Sequence, residues 1–360
     1  MTNTIQFARL YRVIAASFFI LFFAASCKNT IDFDPIPEIR PSKGVYVLNQ
    51  GLFQGNNATL TYYDIDSNKA VTDFYEQKNG KKLGDTGNDI AIYGSKMYVV
   101  VNGSSRLEVI NPFTGISLKT VPLFDSSFTT PRARSPRKMA FGDGFVFISC
   151  YDGSVVKIDT MSLSVVAIGR AGSNPEGIAY VNGKLYVANS GGLNFPNYDS
   201  TLSILSATSL ATLKTLTVRI NLIGVQRDAS GDVYVVSQGN YGDIPPRLFV
   251  INTSADTIKQ RFDIDISQIA ISGDTLLFNS NSNIGLLRAS TKQILTQNFI
   301  SGSQFGYVYN FSRDEQNGKI YVSDAKSFVV SGEVTRFSAQ GTKEATFATG
   351  IVPDGIVFLR

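Results

Sequence analysis

The chemistry open to this chain is bounded first by the side chains it lacks. Its 360 residues include no histidine and no tryptophan. Without imidazole, Ser-His-Asp and Cys-His nucleophile systems and histidine-ligated metals are excluded together. Carboxylates remain, and those at or near strand entrances are Asp85, Asp89, Glu176 and Asp354. Each follows a proline or glycine closely, a setting that suits a side chain bonding its own backbone turn better than an acid–base pair. Asp64-Ile65-Asp66-Ser67-Asn68 begins like a calcium loop. It lacks that loop's glycine and has Tyr75 where the bidentate glutamate belongs, so it reads as a hairpin turn. The expectation is a non-catalytic protein with no metal and no cofactor.

Groups suited to noncovalent binding are more prominent. Residues 50–58, 190–200, 238–247 and 324–331 form long loops with one recipe: aromatics, amides and glycines, with few charges. They contribute Phe53, Phe195, Tyr198 and Tyr241, whereas residues 103–105 and 152–153 are short connections. Aromatic faces give contact area and amides give fixed hydrogen bonds, a combination suited to a large neutral or amphipathic ligand. Tyr151 and Tyr307 fall at equivalent strand ends. Asn49, Asn102, Asn189 and Gln238 close the strands that precede these loops and are expected to present amides to the same place. Arg137, with Arg134 across Ser135-Pro136, is the candidate for an anionic group.

These positions are equivalent because the chain repeats. Lys184-Leu185-Tyr186-Val187-Ala188-Asn189 is the clearest copy of an alternating apolar run. Its anchors Tyr46, Tyr98, Phe147, Tyr186, Tyr234, Leu277 and Tyr321 are spaced 52, 49, 39, 48, 43 and 44 residues apart. Seven copies near 45 residues is the period of a propeller blade. The predicted fold class is therefore all-β, a seven-bladed β-propeller over residues 44–360. The first blade lacks an inner strand and has strands at 44–49, 59–65 and 70–75. The last piece, Pro353-Asp354-Gly355-Ile356-Val357-Phe358, copies the inner strand Pro175-Glu176-Gly177-Ile178-Ala179-Tyr180 and has no partners after it. Residues 351–359 are thus predicted to pair with 44–49, closing one blade with both chain ends and leaving no free edge.

Residues 1–26 read as a signal peptide: Arg9 and Arg12 precede a 13-residue apolar run, residues 13–25. Ala24-Ala25-Ser26-Cys27 resembles the lipobox of bacterial lipoproteins, which implies lipidation of Cys27. Residues 27–43, with Pro35, Pro37 and Pro41, read as an extended tether. Lys28 after the cysteine implies, by the same likeness, an outer-membrane destination, with the cell surface expected and the periplasmic leaflet as the alternative. Removal of Arg9 and Arg12 lowers the formal charge from +4 to +2, so no nucleic-acid partner is expected. If Cys27 carries lipid, Cys150 stands alone and is expected to be a half-buried thiol.

The Tyr-Val-Ala-Asn-Ser run and the Pro-Glu-Gly-Ile motif resemble the YncE-like, YVTN-repeat seven-bladed propellers. Val47-Leu48-Asn49-Gln50-Gly51, Leu60-Thr61-Tyr62-Tyr63-Asp64 and residues 83–89 carry a narrower likeness, to propeller-bearing surface lipoproteins of Gram-negative bacteria. Among these are the BtuG-type proteins, which capture cobalamin and pass it to a TonB-dependent outer-membrane transporter. The resemblance implies a small-molecule ligand, cobalamin or a similar large nutrient, and a transporter partner. The alternative is a propeller scaffold that binds a glycan or a protein, with a hydrolase or lyase as a less favoured third reading.

Overall fold

The alternating runs become the second strands of seven four-stranded antiparallel sheets in a computed structural model that describes residues 43–360. The signal segment, Cys27 and the tether as far as residue 42 lie outside the described residues. Blade 1 consists of Gly44–Asn49, Thr59–Asp64 and Lys69–Val71, with Pro353–Leu359 as its inner strand. The inner strands of blades 2 to 7 are Gly87–Tyr93, Pro136–Gly142, Pro175–Val181, Leu222–Arg227, Gln268–Ser272 and Val308–Arg313. Consecutive inner strands touch all the way round, and Pro353–Leu359 meets Gly87–Tyr93 to close the ring. The closure is as expected: Val45 pairs with Phe358 and Val47 with Ile356.

Burial explains the repeat. Seven apolar clusters fill the seven interfaces between blades, each drawing side chains from two neighbours. Both faces of a second strand are therefore covered, and Lys96–Val101 is buried at every position after the first. The repeat tyrosine has a further task. Tyr46 donates to the Pro112 carbonyl at 2.6 Å, Tyr186 to Asp256 Oδ1 at 2.6 Å, and Tyr234 to the Ala289 carbonyl at 3.0 Å. Each hydroxyl reaches the turn between the third and fourth strands of the next blade, so one residue type both fills an interface and fastens it.

Two segments differ from expectation. The strand predicted at 70–75 pairs only over Lys69–Val71, and the chain then turns into a short helix, α1, Phe74–Asn79, ending on Gly80 at φ 65°. The cause is aromatic packing. Tyr75 is buried with its hydroxyl on Glu108 Oε1 at 2.7 Å, and Phe74 stacks beside Tyr46 and Tyr62 at 5.7 and 5.1 Å. Between blades 2 and 3 the chain adds a small hairpin, Phe124–Asp125 with Arg132–Ala133. Cys150 is fully buried rather than half-buried, and burial pushes its thiol up to about 12.

Strand direction defines two faces. Second strands end, and inner strands begin, at the upper face, which carries the four long loops. Lys43 N–H bonds the Leu359 carbonyl at the end of an inner strand, so the described chain enters at the lower face.

Candidate functional site

The upper face is built by a bulge repeated at the head of the inner strands. Pairing between first and second strands slips between Gly87 and Asp89, Pro136 and Met139, Pro175 and Ile178, Leu222 and Gly224, and Val308 and Asn310. An extra residue at this point re-aims the side chains around it. In blade 3 the bulge is held by Ser149, whose hydroxyl bonds both the N–H and the carbonyl of Lys138 at 3.2 Å. Ser323 bonds Asn310 in the same way at 2.8 and 3.1 Å.

The result is a polar network across the channel. Lys138 Nζ donates to the Asn88 carbonyl at 2.6 Å and lies 3.6 Å from Asp354 and 4.0 Å from Asp89. Asp354 accepts from Gln50 at 2.9 Å and from Asn310 at 2.7 Å, and Gln268 donates to Asn310 at 3.0 Å. Asp89 accepts from the Met139 N–H at 2.8 Å. Burial pushes the Asp89 carboxyl up to about 6, against the opposing pull of Lys138 and that N–H. Lys138 is held above its ordinary value: the Asp354 and Asp89 carboxylates outweigh its desolvation. Three of the four sequence-singled carboxylates, Asp89, Glu176 and Asp354, thus meet at the channel mouth, each satisfied by protein donors. Asp85 lies apart, accepting from Thr86 at 2.9 Å.

Of the two arginines expected to serve an anion, neither is left open. Arg137 makes two parallel bonds to Glu176, and Arg134 bonds Asp152 at 2.9 Å. Arg137 also lies 4.7 Å from the Tyr151 ring centre. Burial, with the Glu176 carboxylate, pushes the Tyr151 phenol up to about 12, so it stays neutral.

The amides divide. Asn49 and Asn189 are fully buried and turn back into their own blades. Asn49 Nδ2 bonds Thr59 Oγ1 at 3.0 Å and Thr61 Oγ1 at 2.9 Å; Asn189 Nδ2 bonds Thr201 Oγ1 and Ser203 Oγ at 2.8 and 2.9 Å. Both therefore tie second strands to third strands instead of facing the mouth. Asn102 Nδ2 caps the Pro136 carbonyl at 3.0 Å. Gln238 Oε1 is buried with no hydrogen-bond partner among the described residues, and so is Asn49 Oδ1.

The aromatics remain accessible. Phe53 is 74% exposed, Phe195 and Tyr241 72% each, and Tyr307 51%. Phe195 meets Tyr198 edge-on at 6.0 Å, and Tyr198 meets Tyr241 at 6.4 Å, so the loops of blades 4 and 5 share one cluster. Blade 7 has another, with Tyr307 and Phe328 at 4.8 Å and Phe328 and Tyr309 at 5.8 Å. Phe328, Tyr309 and the exposed Leu193 were not singled out from sequence. Phe328 lay within a loop already marked, whereas Tyr309 needs the bulge to be known. Beside the first cluster a polar pocket of about 450 Å³ is lined by Tyr151, Arg170, Asn174, Asn194 and Asp199.

The architecture is shared with solved structures. The chain is 17% identical to a quinoprotein alcohol dehydrogenase-like protein from Bacteroides thetaiotaomicron VPI-5482, with a TM-score of 0.64 over 88% of this chain and 78% of that one. It is 12% identical to Kuenenia stuttgartiensis hydrazine synthase, with a TM-score of 0.61 over 75% of this chain and 88% of the other. At these identities the likeness shows the fold alone. No curated protein sequence matches. A family profile does match, over residues 43–325, and by it the chain belongs to the family described as Domain of unknown function, DUF5074.

Proposed function

We propose that this protein is a non-catalytic ligand-capturing propeller whose upper face holds a large neutral or amphipathic molecule. The observation that carries this reading is the Phe195–Tyr198–Tyr241 cluster. It is contributed by two blades, and Phe195 and Tyr241 keep most of their surface in contact with solvent. Exposed apolar surface that joins across separate loops marks binding faces more often than idle surface. Additional aromatics on blades 1 and 7 extend the face around the channel mouth, and the unpartnered Gln238 acceptor lies at the base of the Tyr241 loop.

In its finer form the ligand is cobalamin or a corrinoid. A corrin is a broad apolar ring edged with amides, which matches aromatic faces set among amide-rich loops. The protein would act as a lipid-anchored outer-membrane capture factor serving a TonB-dependent transporter. The described chain enters at the lower face, opposite the aromatic loops. The polar pocket beside Tyr151 favours a second reading, glycan capture, because hydroxyls pair with such donors and acceptors.

A thermal-shift series with cyanocobalamin, haem and neutral oligosaccharides tests both readings. A ligand that binds only the folded state raises the melting temperature as its concentration exceeds Kd. A shift with cyanocobalamin supports the corrinoid reading, and one confined to oligosaccharides replaces it with the glycan reading. No shift with any of them moves the function to a protein partner.

A further inference from the structure

The ring has a second mouth. At the lower face the ends of the inner strands surround a cavity of about 820 Å³. Its wall includes Ile90, Ile271 and Ile356, and three arginines from separate blades line it: Arg227, Arg313 and Arg360. Ile90 and Ile356 directly follow the stretches that carry Asp89 and Asp354, so the polar network lies above the cavity as a cap.

The charges here are unevenly matched. Arg360 reaches Asp314 at 3.4 Å, and Asp228, another lining residue, is held by Lys292 at 2.8 Å. Arg227 is exposed, and Arg313 is half-buried with one Nη donating to the Ser272 carbonyl at 3.4 Å. Among the described residues neither arginine has a carboxylate within 4.0 Å. Glu315 is the remaining acid of the lining and is exposed. One exposed guanidinium and one bound only to a carbonyl, at the rim of a cavity walled in part by isoleucines, ask for two things at once. A planar fork of N–H donors suits a carboxylate or phosphate, and the funnel suits an apolar tail. Its volume lies within the range of small-molecule sites.

We infer that the lower mouth is a second binding site, for an anionic amphiphile whose head group is held by Arg227 and Arg313 and whose alkyl or aryl tail enters the funnel. This site is separate from the upper face and stands or falls independently of it.

Calorimetry on the intact chain, with 1-octyl phosphate below its micellar concentration and octanol as the neutral control, is the test. Octyl phosphate should bind at one site, and octanol about tenfold more weakly or worse, since hydrogen bonds to a charged group are what separates them. Arg227→Gln and Arg313→Gln should each weaken octyl phosphate by about tenfold on the same ground. Arg227 is exposed, so its variant should melt close to the parent. Absence of octyl phosphate binding, equal binding of octanol, or unchanged affinity in both variants overturns the proposal. Vesicles distinguish the source of the head group. If phosphatidylglycerol vesicles, but not phosphatidylcholine vesicles, abolish octyl phosphate binding, the natural ligand is a membrane lipid; if neither does, it is a free amphiphile.

Discussion

Arg137 and Glu176 face each other from the inner strands of neighbouring blades, Nε to Oε2 at 2.8 Å and Nη2 to Oε1 at 2.9 Å. The pair is mostly buried, and the guanidinium also lies against the Tyr151 ring. A desolvated ion pair contributes little net stability while both partners are present, yet removing one leaves the other charged and alone. This separates a structural arginine from a ligand-binding one.

Arg137→Ala should therefore destabilise the protein by about 3 kcal/mol. The double change Arg137→Ala with Glu176→Ala should cost less than the sum of the two single changes. Urea denaturation of the four proteins measures this. Strictly additive losses would mean that the two side chains do not depend on each other.

Close approach of inner strands gives a second prediction. A Cβ at Gly177 would lie 2.6 Å from the Val225 nitrogen and 2.9 Å from the Ile223 oxygen, both backbone atoms of the next blade. Backbone inside a ring cannot retreat as a flexible side chain can. Gly177→Ala should lower stability by about 2 kcal/mol, visible as a drop in melting temperature. By contrast, Gly183→Ala meets open space and should show only the smaller strain of its φ of 78°.

The fold was legible because burial on both faces of every second strand imposes the same apolar run seven times. Even the closure by Pro353–Leu359 could be read, since a lone inner-strand copy has only one vacancy to fill. The site was legible at the level of loops but not of amides. Sequence placed Asn49 and Asn189 at strand ends correctly. Their direction is set by hydroxyls two residues apart at the head of the third strand, Thr59 with Thr61 and Thr201 with Ser203. That hydroxyl pair is a local sequence signal for an amide that turns into its own blade. The channel network had no such local trace: Gln50 and Asp354 bond across 304 residues, and the bulge that aims Tyr309 leaves no residue signature.

Asp89 makes stability depend on pH in a stated direction. Its folded carboxyl titrates at about 6, above its ordinary 3.8, because burial disfavours the charge more than Lys138 and the Met139 N–H favour it. The folded state therefore binds the proton more tightly than the unfolded chain. This contribution is fully present below about pH 4 and is lost as pH rises through 6. Asp89→Asn removes the titration while keeping an acceptor for Met139. Relative to the parent, the variant should gain stability between pH 4 and pH 7. Chemical denaturation at several pH values measures the difference, in which the titration of carboxylates remote from Asp89 cancels. A difference that is flat or runs the other way rejects the assignment.

The binding face supplies the prediction with most bearing on function. Tyr198 touches Phe195 on its own loop and Tyr241 on the neighbouring blade, so it joins the aromatic surfaces of two loops. Phe195 and Tyr241 are mostly exposed, and truncating them removes little from the core. The double variants Phe195→Ala with Tyr198→Ala, and Tyr241→Ala with Gln238→Ala, should accordingly melt close to the parent. Loss of an aromatic anchor that a ligand buries costs about 2 kcal/mol or more, roughly a thirtyfold rise in Kd. Calorimetry against cyanocobalamin, or against whichever molecule shifts the melting temperature, should show that loss in both pairs. Asn49→Ala provides the contrast. Its Nδ2 is spent on Thr59 and Thr61 inside the blade, so the change should lower stability and leave the affinity of the folded protein unchanged. If the two aromatic pairs leave affinity intact while the parent binds, the ligand sits elsewhere on the ring, and the polar pocket beside Tyr151 is the next place to mutate.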